Sequence, residues 1–148
     1  SLEETEEGKA YVLSQPECDT CPKVSLTEKD IREVQLAKGA VAAGFKSMIA
    51  LAGIDENKLD KVILAGAFGS FLRPESAKRV GLLPVEIPID KIEFVGNAAL
   101  AGARVSLLNI SERKHAEKIA RETEYIELSG RADFQMFFME TMMFPTPS

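Results

Sequence analysis

The sequence predicts an α/β domain with a mostly parallel central sheet flanked by helices. Two short apolar runs, residues 62–65 and 92–95, are each followed directly by glycine and then by a helical pattern. Repeated strand-glycine-helix units of this kind are typical of parallel strands buried between helices. The predicted element order is β, α, β, α, β, α, α, β, α.

Residues 1–26 are acidic at first and then rich in loop-forming residues around Pro16 and Pro22. We expect one lead-in strand near residues 11–13 and a connector. The main folded unit is expected to span residues 27–148.

The first helix is predicted over residues 27–51. Thr27 can cap it, Asp30 lies at the third helical position, and Leu26 can pack on Ile31. Apolar residues then recur every three or four positions up to Gly53, as one buried helix face requires.

The remaining elements follow from apolar periodicity and from turn-forming residues. Pro74 opens a predicted helix over residues 74–80, and a small-residue helix is predicted over Ala98–Leu108. Ser111 can cap a helix running to about Arg121. An alternating strand is predicted at residues 125–128, followed by a helix over residues 133–143 that ends before Pro145.

Composition narrows the classes of function. The chain has 148 residues, 45% of them hydrophobic, and a net charge of -5, which describes a globular domain without the positive field that attracts nucleic acid. No apolar run approaches the roughly 20 residues that span a bilayer, and the amino end lacks a signal-peptide pattern. We therefore expect a cytoplasmic protein with neither a nucleic-acid nor a membrane partner.

Cys18 and Cys21 are the two cysteines of the chain, and His115 is its single histidine. The cysteines can be ordinary loop thiols, a redox or disulfide pair, or half of a shared metal site. Ordinary loop thiols are favoured, because this chain lacks further metal ligands. For the same reason we assign no metal site and no nucleophilic triad.

The candidate ligand site lies where the two parallel strands end. Strand ends in open α/β sheets collect ligands, and glycine lets a ligand approach the backbone closely. Neither loop matches a phosphate-binding or dinucleotide-binding glycine motif. Gln35 and Lys38 share a helix face away from the apolar stripe. The candidate residues are Gln35, Lys38, Gly66, Ala67, Phe68, Gly69, Gly96 and Asn97.

The carboxyl-terminal run of phenylalanine and methionine, residues 134–144, is too apolar for a free surface helix. Core packing is the first interpretation, and a methionine-rich partner surface is the alternative.

Several motifs in order resemble one known family, the reductive activators of corrinoid proteins, over about residues 26–145. The resemblance is to their carboxyl-terminal actin-like (ASKHA) ATPase domain, which has a ribonuclease H-like fold. The matching stretches are TEKDIREVQLAKGA at 27–40, LAGAFG at 64–69, PESA at 74–77, GLLP at 81–84 and VGNAA at 95–99.

The resemblance implies that this chain is one lobe of a larger ATP-dependent protein. The full-length protein would use ATP and magnesium, and an iron-sulfur cluster in a missing amino-terminal domain, to reduce cob(II)alamin to cob(I)alamin. Its partner would be a corrinoid protein or a corrinoid methyltransferase.

The resemblance also implies roles for the candidate residues. Gly66 and Gly69 match the adenosine-binding turn, Gly96 and Asn97 lie in the neighbouring loop, and Gln35 and Lys38 would contact adenine or ribose. No residue here matches the acidic strands that bind magnesium, so we assign no catalytic residue and expect the isolated chain to be inactive. Two cysteines cannot provide the ligands of a plant-type cluster.

Two alternatives stay open at this stage. The chain can be a docking or dimerisation module, which includes a homodimer, or half of an unrelated actin-like kinase.

Overall fold

The computed structural model describes residues 1–5, 8–14, 18, 21–66 and 71–146. Within these residues the strands and helices follow one another as predicted, apart from the amino-terminal segment and the segment between the last two helices. The strands are β1 (Leu2–Thr5), β2 (Gly8–Ser14), β3 (Val24–Thr27), β4 (Val62–Leu64) and β5 (Ile92–Phe94). The helices are α1 (Glu28–Ala52), α2 (Pro74–Arg79), α3 (Ala98–Leu108), α4 (Ile110–Glu122) and α5 (Ala132–Met142).

The amino-terminal segment contains three strands, so the prediction of a single lead-in strand is wrong. β1, β2 and β3 form an antiparallel sheet in that order, with Leu2 opposite Tyr11 and Ala10 opposite Thr27. Along β2, Ala10 and Val12 are buried while Tyr11 is exposed. This alternation is that of a sheet with one solvated face, and its short, partly polar strands carry a weak sequence signal.

The start of α1 has the capping box that the sequence predicts. The Thr27 hydroxyl accepts a hydrogen bond from the Asp30 N–H at 3.1 Å, and the Asp30 carboxylate accepts one from the Thr27 N–H at 2.8 Å. The Thr27 N–H, and then the Thr27 hydroxyl, which also donates to this carboxylate, lower the pKa of Asp30. Gly53 ends the helix with a φ of 62° in the left-handed region.

The predicted parallel pair is confirmed. β4 and β5 run parallel, with Val62 opposite Ile92 and Leu64 opposite Phe94. Both strands belong to the main hydrophobic core of the described residues, and Phe45 of α1 packs against it. The buried members of this core are Val62, Ala77, Leu82, Leu83, Ile87 and Ile92.

The longest helix, α1, packs along α5 at a glycine. A Cβ at Gly39 would lie 3.1 Å from Cγ and 3.3 Å from Cα of Met142, so the backbone of α5 occupies the space next to this residue. The Thr141 hydroxyl also donates to the Gly39 carbonyl at 3.0 Å. α5 therefore covers one face of α1. This contact confirms the core-packing interpretation of residues 134–144 for the half-buried side chains of α5.

The segment between α4 and α5 is irregular, so the strand predicted at residues 125–128 is wrong. Glu127 organises it: its carboxylate accepts hydrogen bonds from the Ser129 hydroxyl at 2.5 Å, the Ser129 N–H at 3.0 Å and the Tyr125 hydroxyl at 2.5 Å. These bonds, those from Ser129 first, lower the pKa of Glu127 to about 2. Local side-chain bonds of this kind compete with strand pairing.

The amino ends of α3 and α4 are capped by asparagine. The Asn97 side chain accepts from the Leu100 N–H at 3.0 Å, and the Asn109 side chain accepts from the Ser111 N–H at 2.9 Å. Asn109 therefore caps α4, and the prediction that Ser111 does so is wrong. In the part of the chain that the structure describes, no helix is long and apolar enough to cross a membrane.

The contact at Gly39 can be tested against Gly44, a second glycine of α1. A Cβ at Gly44 would meet only the Leu128 side chain, at 4.0 Å. We expect Gly44→Ala to stabilise the chain by about 0.5–1 kcal/mol through helix propensity. We expect Gly39→Ala to lose this gain, because its methyl group would push against the α5 backbone. Thermal unfolding measures both, and equal stabilisation by the two substitutions would contradict the contact.

The stability of the chain should also depend on ionised Glu127. Because folding lowers its pKa from 4.5 to about 2, its stabilising effect is complete above pH 4.5 and disappears as the pH falls towards 2. Urea unfolding at a series of pH values should therefore show that Glu127→Gln costs most above pH 4.5. Tyr125→Phe should reproduce part of this loss, and a cost that does not change with pH would be the contrary result.

Candidate functional site

The glycines that follow β4 and β5 lie side by side. The Gly66 N–H donates a hydrogen bond to the Gly96 carbonyl at 2.6 Å, so the strand ends share one edge of the sheet. Both glycines have positive φ, 103° and 61°, and a Cβ on either would meet none of the described residues within 4 Å. That a ligand approaches the backbone at this edge stays a prediction.

The remaining candidates in these two loops are Ala67, Phe68, Gly69 and Asn97. Ala67, Phe68 and Gly69 lie outside the described residues. Asn97 uses its side-chain oxygen to cap α3. It thereby orients the helix that leaves the sheet edge.

Lys38 is the most unusual candidate, because its side chain is buried. Only 3% of the residue is exposed, although lysine is almost always solvated. Its ammonium donates to the Met143 carbonyl and lies 5.1 Å from the centre of the Phe144 ring. Burial lowers the pKa of Lys38, since these partners are uncharged and do not neutralise the ammonium.

Two cavities flank Lys38. The first, which we call the apolar cleft, has a volume of about 560 Å³ and is lined by the aliphatic side chains of Val34, Ala37, Val41, Leu72, Val80 and Leu82. Lys38 and the exposed carboxylates of Asp30 and Glu33 complete its wall. A volume of this size falls within the range of small-ligand sites.

The apolar cleft connects α1 to the chain that follows β4. Leu72, one of its lining residues, comes six residues after Gly66 in the chain. Lys38 and Leu72 thus face the same space. Gln35 is half-buried one turn before Lys38 and lies outside the linings of both cavities.

The second cavity, of about 370 Å³, lies between α1 and the carboxyl-terminal residues 143–146, which we call the C-terminal strap. Lys38, Lys46, Gly81 and Glu140 also line it. The sequence does not predict that the strap belongs to the site, because Met143 is 105 residues away from Lys38 in the chain. No local pattern could have identified this contact.

Cys18 and Cys21 form a disulfide with their Cα atoms 5.2 Å apart. The favoured interpretation of ordinary loop thiols is therefore wrong, and the disulfide alternative is confirmed. Among the residues that the structure describes, no group of three or more histidine, cysteine or acidic side chains is arranged to hold a metal ion.

Comparisons with known proteins agree with this architecture. A protein-family model described as the C-terminal domain of RACo, the ASKHA domain, matches residues 1–148. A solved structure, "Reductive activator for corrinoid,iron-sulfur protein", superposes with a TM-score of 0.86 and 36% sequence identity, covering 97% of this chain and 23% of that one.

Two curated relatives also match. The "Corrinoid activation enzyme RamQ" of Eubacterium limosum is 36% identical over 121 residues, which are 82% of this chain and 20% of the relative. The "[Co(II) methylated amine-specific corrinoid protein] reductase" of Methanosarcina barkeri is 30% identical over 120 residues, 80% of this chain and 22% of the relative. The chain thus spans about a fifth of the length of these relatives.

Lys38 can be tested for a structural role by replacing it with methionine, which has a similar shape and no charge. The variant loses a charged hydrogen bond and a cation–π contact but avoids the cost of burying an ammonium. These effects have similar sizes, so we expect the free energy of unfolding of Lys38→Met to change by no more than about 1 kcal/mol. Urea unfolding measures the change, and a loss above about 3 kcal/mol would mean that the fold itself needs the charge.

Proposed function

The chain belongs to the family described as the C-terminal ASKHA domain of RACo, and on this premise we propose that it is a nucleotide-binding lobe. The full-length protein would be an ATP-dependent iron-sulfur protein that reductively activates corrinoid proteins, converting cob(II)alamin to cob(I)alamin. The printed names of the two curated relatives and of the solved structure, all of which concern corrinoid activation or reduction, support this proposal.

Buried Lys38 in the wall of the apolar cleft is the observation that carries the nucleotide proposal. A purine has two flat apolar faces, which suit a cleft lined by valine, leucine and alanine. A ribose or phosphate oxygen suits the ammonium, because a buried cation gains from an electron-rich partner. Lysine is a common ligand of nucleotide phosphates.

The other candidate residues complete the proposed site. We assign the bare backbone at Gly66 and Gly96, together with Ala67, Phe68 and Gly69, to the side of the nucleotide that faces the sheet edge. Gln35 would contact the base or the ribose, and Asn97 would position α3.

The rest of the chemistry would come from outside this chain. The magnesium ligands, the residues that activate water and the iron-sulfur cluster are proposed to lie in other parts of the full-length protein, so none of the residues described here is assigned as catalytic. Nucleotide binding would favour a conformation of the protein that promotes electron transfer to a corrinoid protein. The size of that effect cannot exceed the difference in nucleotide affinity between the two conformations.

A second candidate function is partner docking or dimerisation through α5. Met136 and Met139 are exposed one turn apart on α5, and Met143, just after the helix, is exposed too, as on adaptable partner surfaces. Sedimentation of the full-length protein with and without residues 134–148 of this chain tests this alternative. An unrelated kinase has no such support, because the names of the relatives concern corrinoid proteins. The cytoplasmic location stays a prediction.

The nucleotide proposal is tested by calorimetric titration of the full-length protein with ATP. We expect Lys38→Met to weaken ATP binding by roughly tenfold or more, since a charged hydrogen bond is lost, and to reduce ATP-dependent formation of cob(I)alamin. Lys29→Met is the matched control, because Lys29 is an exposed lysine of the same helix that lines neither cavity. Its affinity should stay within about twofold of the wild type.

The isolated chain should bind ATP weakly at most and should not hydrolyse it. Micromolar affinity with turnover by the isolated chain would contradict the proposal that the magnesium ligands and the water-activating residues lie in other parts of the full-length protein. Absence of ATP binding by the full-length protein, or equal affinities of Lys38→Met and Lys29→Met, would contradict the nucleotide site.

A further inference from the structure

We propose that the C-terminal strap positions Lys38 for nucleotide binding, with the Met143 carbonyl and the Phe144 ring as the positioning groups. The proposal rests on the proposed function and extends it to residues that no resemblance or comparison assigns to the site. The strap would not touch the nucleotide itself. It would affect nucleotide binding by holding the Lys38 amine in position.

Two contacts connect the strap to the amine, and Gly81 packs against both. The ammonium of Lys38 donates to the Met143 carbonyl, and the Phe144 ring lies 5.1 Å from it. A Cβ at Gly81 would lie 3.0 Å from Pro145 and 3.3 Å from the Lys38 amine. Gly81, with a φ of 76°, therefore leaves just enough room for the strap and the amine to pack together.

Charged side chains line both cavities beside Lys38, whereas its closest partners are neutral. The apolar cleft presents Asp30 and Glu33 from α1 itself, and the second cavity presents Lys46, Glu56, Glu86 and Glu140. The two closest partners, a carbonyl oxygen and an aromatic face, stabilise a cation without cancelling its charge. An ammonium has three N–H donors, and the Met143 carbonyl takes one of them; the proposal assigns a second donor to a nucleotide oxygen.

The packing also favours a permanent wall over a releasable latch. Freeing the strap would break the hydrogen bond and the ring contact and would separate Pro145 from Gly81. A ligand that had to displace the strap would bind more weakly by the cost of these contacts. We therefore expect loss of the strap contacts to weaken nucleotide binding, whereas a latch would make the same change strengthen it.

The first experiment compares variants of the full-length protein by ATP titration. Phe144→Leu keeps an apolar side chain and removes the ring face, and we expect it to weaken ATP binding about three- to tenfold. Phe144→Tyr keeps a ring and should bind like the wild type. Met139→Leu, at an exposed position of α5 that lines neither cavity, is the matched control and should leave affinity unchanged.

A double-mutant cycle separates positioning from a general structural effect. If Phe144 acts through Lys38, Phe144→Leu should have no further effect on ATP affinity in the Lys38→Met background. A merely structural role would weaken binding by the same factor in both backgrounds, and that result would overturn the proposal.

The second experiment measures the reactivity of Lys38 in the full-length protein without nucleotide. Reductive methylation followed by mass spectrometry should modify wild-type Lys38 slowly, since its side chain is buried, and Phe144→Leu should speed this reaction. Lys29 provides the internal reference for an exposed amine. Equal methylation rates of Lys38 in the wild type and in Phe144→Leu would overturn the proposal that the strap holds the amine.

The outcomes separate this inference from the proposed function. Wild-type affinity in Phe144→Leu, or tighter binding, would overturn the inference alone if Lys38→Met still loses ATP. Failure of the wild-type full-length protein to bind ATP would overturn the proposed function, and the positioning role with it.

Discussion

The close contact between α1 and α5 at Gly39 sets the position of everything that follows α5. Because residue 39 has no side chain, the backbone of α5 approaches α1 closely enough for Thr141 to donate to the Gly39 carbonyl. The chain then leaves α5 directly over Lys38, which is one residue before Gly39. A bulkier residue at position 39 would lift the helix, and the strap would no longer reach the amine.

A second glycine, Gly81, also allows close packing, at the point where the strap meets the end of α2. Pro145 occupies the volume that a side chain at position 81 would fill, and the Lys38 amine lies beside it. Two glycines far apart in the sequence therefore shape one small region. Within it, neutral groups hold a buried amine whose pKa is lowered by burial, and under the proposed function this arrangement would serve a ligand contact.

The junction of α3 and α4 is much less packed than the region around Lys38. Leu107, Leu108 and Ile110, at the junction of α3 and α4, are each more than 70% exposed. β4 and β5 alone make up the parallel sheet of the described residues, and a sheet of two strands has two edges available for pairing. Under the proposed function, these surfaces would face the remainder of the full-length protein. The chain spans only about a fifth of its curated relatives, which agrees with that view.

Features that depend on neighbouring residues could be predicted from the sequence. The Thr27 capping box, the extent of α1 and α3 arise from interactions within one or two turns of chain, and β4 and β5 are marked by apolar runs that end in glycine. The prediction of a strand at residues 125–128 failed because Glu127 accepts side-chain hydrogen bonds from Tyr125 and Ser129, which apolar alternation does not reveal. The prediction of a single amino-terminal strand failed because β1 forms by pairing with β2.

For the candidate site, the sequence by itself determined which side chains are available, with Lys38 on α1 and bare glycines at two strand ends. Only the tertiary structure decided that the amine is buried and that Met143 and Phe144 hold it. The physical reason is that a hydrogen bond between residues 38 and 143 depends on how α5 packs on α1, and no short stretch of sequence contains both partners.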